Sequence, residues 1–438
     1  MEKKNPRFLI HGGKPLHGKI KLSGAKNSAS KLFIASLLTD QANTLSNCPC
    51  ATIEMSVTKE ICESLGTKFQ KFSDDSVVLQ TKEIKDTSFS EELGSTNRIS
   101  ILTVGPLLNR IGEAHIPKVG GDKIGKRPID FHLEALKKLG VEIKEFDSRY
   151  ELKAKHLTGA NITLPYPSVG ATENIIVSSV LAEGTTYLHN AAVEPEVIDL
   201  ILFLQKMGAI IDVLTDRMIV IKGVEKLGSA AHRVLPDRLE AASFASAAIA
   251  SKGEVFLEDA RQCDMISFLN SIRLIGADYE ILPEGIKFLY RGKMKPIMIE
   301  TNVHPGFMTD WQPPFVILMT QAEGVSIIHE TVYENRFGYV SELKKMSADI
   351  ELYNTCLGGA HCRFANTNYN HSAVIKGPTS LHNAEITVPD IRAGFSYLVA
   401  AILAKGESIV YGAHYIDRGY ENIECKLKQL GVDISRLD

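Results

Sequence analysis

The chain has 438 residues, 44% hydrophobic and 23% charged, an ordinary globular mix with length for two or three domains. A formal net charge of −3 excludes the global basic field that attracts nucleic acid. An anionic ligand must therefore be met by a local cluster of Arg and Lys.

From the N-terminus, residues 1–11 carry charges but no apolar stretch and no small-residue cleavage site, so they do not read as a signal peptide. The longest apolar runs, such as 175–182, are too short to span a bilayer, and no membrane association is expected. Seven scattered cysteines, an odd number, fit a reducing compartment, and a cytoplasmic location is expected. Cys48-Pro49-Cys50 lacks a second pair at metal-site spacing and reads as ordinary thiols.

A helix-to-strand phrase recurs six times along the chain. Its pivots are Gly66, Gly140, Gly208, Gly276, Ser347 and Gly431, at intervals of 74, 68, 68, 71 and 84 residues. A second phrase runs in phase with it: an apolar helix closes at Gly112, Gly184, Gly253, Gly324 or Gly406 and a strand begins. Its first copy, around Leu37 to Leu45, lacks the glycine. Both phrases read as a helix ended by a left-handed cap and a short turn into a strand. Two such joints per period of about 70 residues predict a βαβαβ-type unit. Six units suggest an α/β protein of two domains with three units each.

The residues before the first helix of each unit are polar. They include Ser23 to Asn27, Arg98, Ser168, Asp237-Arg238, Asp310 and Asp390 with Arg392. Ser23, Asp237 and Asp390 suit N-capping. Lys26 and Arg98 do not, since a cation at a helix N-terminus opposes the dipole unless an anion is bound. Equivalent positions in repeated units predict one anion-binding locus holding Lys26, Arg98, Arg238 and Arg392. Between repeats lies a glycine-rich basic loop, 117–132, containing Gly120, Gly121, Asp122, Lys123, Lys126 and Arg127. Its context is not strand–GxGxxG–helix, so a dinucleotide site is not supported. It reads instead as a phosphate-approaching lid or a solvated hairpin loop.

Taken together, Ser23-Gly24-Ala25-Lys26-Asn27, loop 120–132, residues 168–172, 233–238, 304–310, 334–337 and Asp417-Arg418-Gly419-Tyr420-Glu421 resemble the UDP-N-acetylglucosamine 1-carboxyvinyltransferases. The motifs stand in family order from about Gly12 to Leu437. The resemblance implies a two-domain inverted α/β barrel (the enolpyruvyl transferase fold) built from six repeats. One domain would span 26–233 and the other 1–25 plus 234–438, with the active-site cleft between them. It implies enolpyruvyl transfer from phosphoenolpyruvate to the 3′-hydroxyl of UDP-N-acetylglucosamine by addition–elimination, the first committed step of peptidoglycan synthesis. No cofactor and no metal are expected. The partners are the two small-molecule substrates, without nucleic acid or membrane; nothing in the sequence identifies a protein partner.

The same resemblance assigns roles. Lys26, Asn27, Arg127 and Arg418 would hold phosphoenolpyruvate and its adduct. Arg98, Arg127, Pro128, Ile129, Asp130, Phe131, Tyr166, Pro167, Ser168, Val169 and Val332 would meet the nucleotide sugar. Asp310 would sit at the sugar hydroxyl as base. Asp122 stands where most relatives carry Cys, and a carboxylic acid with a raised pKa can serve as the proton donor to C3. Fosfomycin, which alkylates the thiol of Cys-bearing relatives, should then be ineffective. Two alternatives remain: a sister enolpyruvyl transferase with another acceptor, and a non-catalytic paralogue that binds the nucleotide sugar. The long last interval has its excess near Cys356 to His371. A zinc site is conceivable there, but a surface excursion is the expected reading.

Overall fold

The computed structural model describes residues 6–73, 75–96, 98–118, 129–359, 362–390 and 393–437. Of the sequence-derived candidates, Asp122, Arg127, Pro128 and Arg392 lie outside them. The chain divides into two compact units. One contains the described residues up to Ser23 and from Pro236 onward; the other contains the described residues between Gly24 and Leu235. Each has its own apolar core.

Both units are built on one plan. A short strand runs parallel to the strand that follows a buried helix, and an antiparallel pair completes the sheet. In the Gly24–Leu235 unit, Asn161–Thr163 lies parallel to Thr185–His189, which pairs with Met218–Lys222 and through it with Ile210–Leu214. In the other unit, Met298–Glu300 lies parallel to Gly324–His329, which pairs with Ser372–Gly377 and through it with Ile350–Tyr353. The chain reuses distant segments to complete these sheets. Ala231–Arg233 lies beside Asn43–Ser46, and His17–Lys21 beside Glu254–Glu258. Arg7–Gly12 is inserted between Gly406–Tyr411 and Asp433–Leu437.

In the unit from Pro236 onward the inner helices are nearly all apolar or small, so they bury nearly every face rather than one stripe. Arg238–Ala250, Gln312–Met319 and Gly394–Leu403 pack on one another in one unit. Lys26–Ala35, Val104–Ile111 and Val169–Ser179 are the inner helices of the other. No helix among the described residues is long and apolar enough to cross a membrane.

All six pivots of the first phrase adopt the left-handed conformation: Gly66, Gly140, Gly208, Gly276, Ser347 and Gly431. At Ser347 a side chain bears that conformation (φ 69°) without the freedom of glycine. The second phrase departs from expectation at one copy. There Lys252 takes the positive φ of 62°, and Gly253 serves a close approach instead: a Cβ at Gly253 would lie 2.0 Å from the Leu16 carbonyl oxygen.

Candidate functional site

In the unit containing Pro236 onward, Asp310 is carried on a single 3₁₀ turn, Thr309–Trp311, that leads into the buried helix Gln312–Met319. An aromatic wedge fixes the turn. Trp311 meets Phe307 and Phe268 edge-on at 5.5 Å each, and its indole N–H donates to the Arg238 carbonyl at 3.2 Å. Each such ring contributes on the order of 2–3 kcal/mol by burial.

Arg336 reaches the same turn from the other side. Its Nε and Nη2 donate to the Thr309 carbonyl at 3.4 and 3.3 Å, and Nη2 donates to Asp310 Oδ1 at 3.2 Å. The Arg336 side chain is fully buried and that of Asp310 is 6% exposed. The planar guanidinium therefore sets both the turn and the carboxylate that projects from it. Glu330 braces the opposite edge. Its Oε2 accepts from Thr309 Oγ1 and Gln312 Nε2, and its Oε1 accepts from the Val332 and Tyr333 amides. Burial pushes the Glu330 carboxyl upward, and Arg336 opposes that shift. Val332, a sequence candidate, is half-buried and held through its amide.

Arg418 follows the short helix Ala413–Asp417. Its neighbours are tied down on both sides. Asp417 accepts from Arg436 at 2.8 and 2.9 Å, and Tyr420 packs on Phe395 at 4.9 Å with its hydroxyl 2.9 Å from that of Ser243. Glu421 accepts from the Ser23 hydroxyl, while the Ser23 amide donates to Glu240. Ser23 is thus a strut between segments and not the N-cap expected from sequence. Asp237 does cap, accepting from Leu239 and Glu240, and Asp390 accepts from the Ala393 amide. Arg238 corrects another expectation. It is only 3% exposed, 5.5 Å from the Trp311 ring and bonded to the Asp264 carbonyl, so it is a packing group and not part of an open anion cluster.

In the Gly24–Leu235 unit, Lys26 opens the helix Lys26–Ala35, whose N-cap Ala25 supplies no side-chain acceptor. Lys26 and Asn27 are half-buried, so a cation stands beside amides that no cap satisfies, the arrangement that suits an anion. The helix start is anchored one residue on. Ser28 donates to Asp199 Oδ2 at 2.6 Å, and Asp199 Oδ1 accepts from His232 Nε2 at 2.9 Å.

Three further candidate segments meet at His132. The imidazole is buried on the helix Asp130–Lys138 and accepts from Asn174 Nδ2 at 3.2 Å. Gly170 lies so near that an added Cβ would stand 3.4 Å from the ring. Burial, aided by the nearby positive charge of Arg98, pushes the imidazole down to about 3, so it is neutral at physiological pH. His132 therefore draws together Arg98, the stretch Ile129, Asp130 and Phe131, and the start of the helix Val169–Ser179. Ser168 caps that helix, accepting from the Ala171 amide at 3.4 Å. Tyr166, Pro167, Ser168 and Val169 are all half-buried, with the Ser168 amide donating to the Tyr166 carbonyl at 2.7 Å.

Sequence reasoning brought out Asp310, Lys26 and Arg418 but gave no role to Arg336, Glu330 or His132. Arg336 and His132 stood inside quoted motifs, in 334–337 and 120–132, yet nothing in a linear pattern announces that a charged side chain is buried.

A family model described as EPSP synthase (3-phosphoshikimate 1-carboxyvinyltransferase) matches residues 10–427. A protein of Protochlamydia amoebophila named UDP-N-acetylglucosamine 1-carboxyvinyltransferase is 47% identical over 98% of this chain and 94% of its own length. A protein of the same name from Chlamydia pneumoniae is also 47% identical, with the same coverage of both chains. Among solved structures, the enolpyruvyl transferase NikO from Streptomyces tendae superposes with a TM-score of 0.86 at 21% identity, covering 99% of both chains. An EPSP synthase from Acinetobacter baumannii gives 0.74 at 16% identity over 99% of this chain and 100% of its own. These two matches show the shared fold, a mixed α/β protein of repeated sheets and helices.

Proposed function

Because the chain belongs to the EPSP synthase (3-phosphoshikimate 1-carboxyvinyltransferase) family, we propose that it moves the enolpyruvyl group of phosphoenolpyruvate onto the 3′-hydroxyl of UDP-N-acetylglucosamine. The observation that carries this reading is the near-full-length identity, at 47%, with proteins named for that reaction. Phosphate is released, and the product commits the nucleotide sugar to peptidoglycan synthesis, a cytoplasmic step.

The chemistry assigns the groups as follows. Asp122, protonated, delivers a proton to C3 of phosphoenolpyruvate while the sugar hydroxyl attacks C2 and gives its proton to Asp310. Loss of a C3 proton then expels phosphate and restores the double bond. Lys26, Arg127 and Arg418 balance the phosphate and carboxylate charges, and Asn27 braces the tetrahedral adduct. Arg98 with residues 128–131 and 166–169 binds the nucleotide sugar, and Val332 lines the pocket of its hydroxyl. The buried Arg336 guanidinium supports the role of Asp310, since its hydrogen bond to Oδ1 at 3.2 Å aims the carboxylate. The functional test is phosphate release from phosphoenolpyruvate with each acceptor in turn. Release that depends on UDP-N-acetylglucosamine is expected. Release only with shikimate 3-phosphate would assign a sister transferase, and binding without release a non-catalytic paralogue.

A further inference from the structure

His329, Cys356, Cys362 and His371 present one ligand atom each, and these four atoms all lie within 4.8 Å of one another. Only Cys356 is exposed. The set is assembled by the strand pairing. His329 ends Gly324–His329, its register partner is Ser372, and His371 immediately precedes that residue. The loop bearing the cysteines is fastened to the same place: the Ser372 hydroxyl donates to the Thr355 carbonyl and accepts from the Leu357 amide.

We propose that these four residues form a tetrahedral site for a zinc-class divalent cation. Two thiolates and two imidazoles are the donor set such an ion prefers, and on binding the two thiols release their protons to solvent. Zinc–sulfur and zinc–nitrogen bonds of usual length put a sulfur and a nitrogen about 3.6 Å apart across a tetrahedral angle. Cys356 Sγ and His371 Nε2 are already 3.4 Å apart.

The surrounding groups are those of a built site. His371 Nδ1 donates to the Tyr369 carbonyl at 2.8 Å, which turns the lone pair of Nε2 toward Cys356. The Phe364 amide donates to Cys362 Sγ at 3.4 Å, which fixes the direction in which the sulfur points. His329 is wholly buried, yet neither ring nitrogen has a hydrogen-bond partner among the described residues. A buried imidazole in that state is costly unless a ligand occupies it. Glu300 Oε2 stands 3.8 Å from Nδ1, and Glu300 Oε1 accepts from the Gly359 amide at 2.7 Å. This places a carboxylate behind one nitrogen and leaves Nε2 for the cation. Gly358 passes so close that a Cβ there would lie 2.1 Å from Nδ1, so the loop folds over this imidazole only with glycine at that position.

The site has a mechanical consequence. The residue after His329 is Glu330, whose amide donates to the His371 carbonyl at 2.7 Å and whose carboxylate holds the Thr309–Trp311 turn. A cation here fastens the extra segment of the long last repeat to the strand end that braces Asp310. The excursion and the absence of a metal, both expected from sequence, are replaced in this reading by a structural metal staple.

The test is elemental analysis of the full chain purified under reducing conditions, followed by replacement of zinc with cobalt. One zinc per chain is expected, and the cobalt form should show the intense visible bands of tetrahedral coordination with thiolate charge transfer in the near ultraviolet. Cys356→Ser, at an exposed position that leaves the core intact, and His371→Asn should each lose stoichiometric zinc and the cobalt spectrum. Cys263→Ser and Cys425→Ser, at exposed cysteines elsewhere, should keep both. Circular dichroism identifies any variant that fails to fold. Three results would each overturn the assignment: no zinc and no cobalt spectrum in the unmodified chain, a Cys356–Cys362 disulfide under the same reducing conditions, or full zinc retention in folded Cys356→Ser.

Discussion

Asp310→Asn separates chemistry from structure, because the amide is nearly isosteric with the carboxylate. Its carbonyl still accepts the 3.2 Å hydrogen bond from Arg336 but cannot take a proton from an alcohol. At that separation, with an effective dielectric near 20, the gross attraction of the ion pair is about 5 kcal/mol. Most of it is offset by desolvation, and the surviving hydrogen bond retains part of the rest, so the expected loss of folding stability is about 1–3 kcal/mol. Asp310→Ala removes the carboxylate from a fully buried guanidinium, leaving it the Thr309 carbonyl, and should cost about 3–5 kcal/mol. Turnover follows a different scale. Removing a general base should lower kcat by about two to four orders of magnitude, or ~3–5 kcal/mol in barrier height. Urea unfolding gives the first quantity, and phosphate release per folded molecule gives the second. If Asp310→Asn turns over within tenfold of the unmodified chain while losing about 1–3 kcal/mol of stability, Asp310 holds the turn and is not the base.

Arg336→Lys keeps the charge but cannot span the Thr309 carbonyl and Asp310 together. It should lose about 1–3 kcal/mol of stability and lower kcat more than it raises KM; an unchanged kcat per folded molecule would confine Arg336 to a structural role. Glu173, buried 3.8 Å from Lys31, has its pKa pushed up to about 7 from 4.5 by burial, with Lys31 opposing and Glu196 and Glu194 adding to the rise. The folded chain holds that proton more tightly than the unfolded one, so stability declines as pH rises from about 4.5 to about 7 and is level above. Glu173→Gln should flatten that window and be the more stable form at pH 8, by about 3 kcal/mol at most; identical pH–stability curves would show the shift is absent. Asp122→Cys should gain time-dependent inactivation by fosfomycin with a covalent mass increase, because a thiolate opens an epoxide far faster than a carboxylate. Rapid labelling of the unmodified chain with loss of activity would contradict the role given to Asp122.

The repeat was legible because it rests on backbone conformation. A helix that must turn into a strand within two residues needs a left-handed residue, and glycine marks the place in five of the six pivots, with Ser347 the exception in composition but not in φ. Gly253 shows the limit of that signal, since a glycine kept for close approach to Leu16 looks in sequence like one kept for its φ. The polar helix starts were also readable, although their roles sorted only in three dimensions. Asp237 and Ser168 cap, Ser23 ties two segments together, and Arg238 packs on an indole. What sequence could not give is burial of charge. Arg336 lies 26 residues from its partner Asp310, and nothing local distinguishes it from a solvated arginine. Of the His and Cys cluster, the run from Cys356 to His371 was visible in sequence, but its fourth member was not: His329 meets His371 only through an antiparallel strand register, and no fixed spacing encodes that.

The most direct test of the functional account follows both products of one reaction by nuclear magnetic resonance. Phosphoenolpyruvate and UDP-N-acetylglucosamine are supplied together, phosphorus signals report free phosphate, and proton signals report the vinyl ether. The account predicts that each phosphate released is matched by one enolpyruvyl ether on the sugar 3′-oxygen, and that neither signal appears when the nucleotide sugar is omitted. Phosphate released without an equivalent of that ether, or at the same rate without the acceptor, would contradict it.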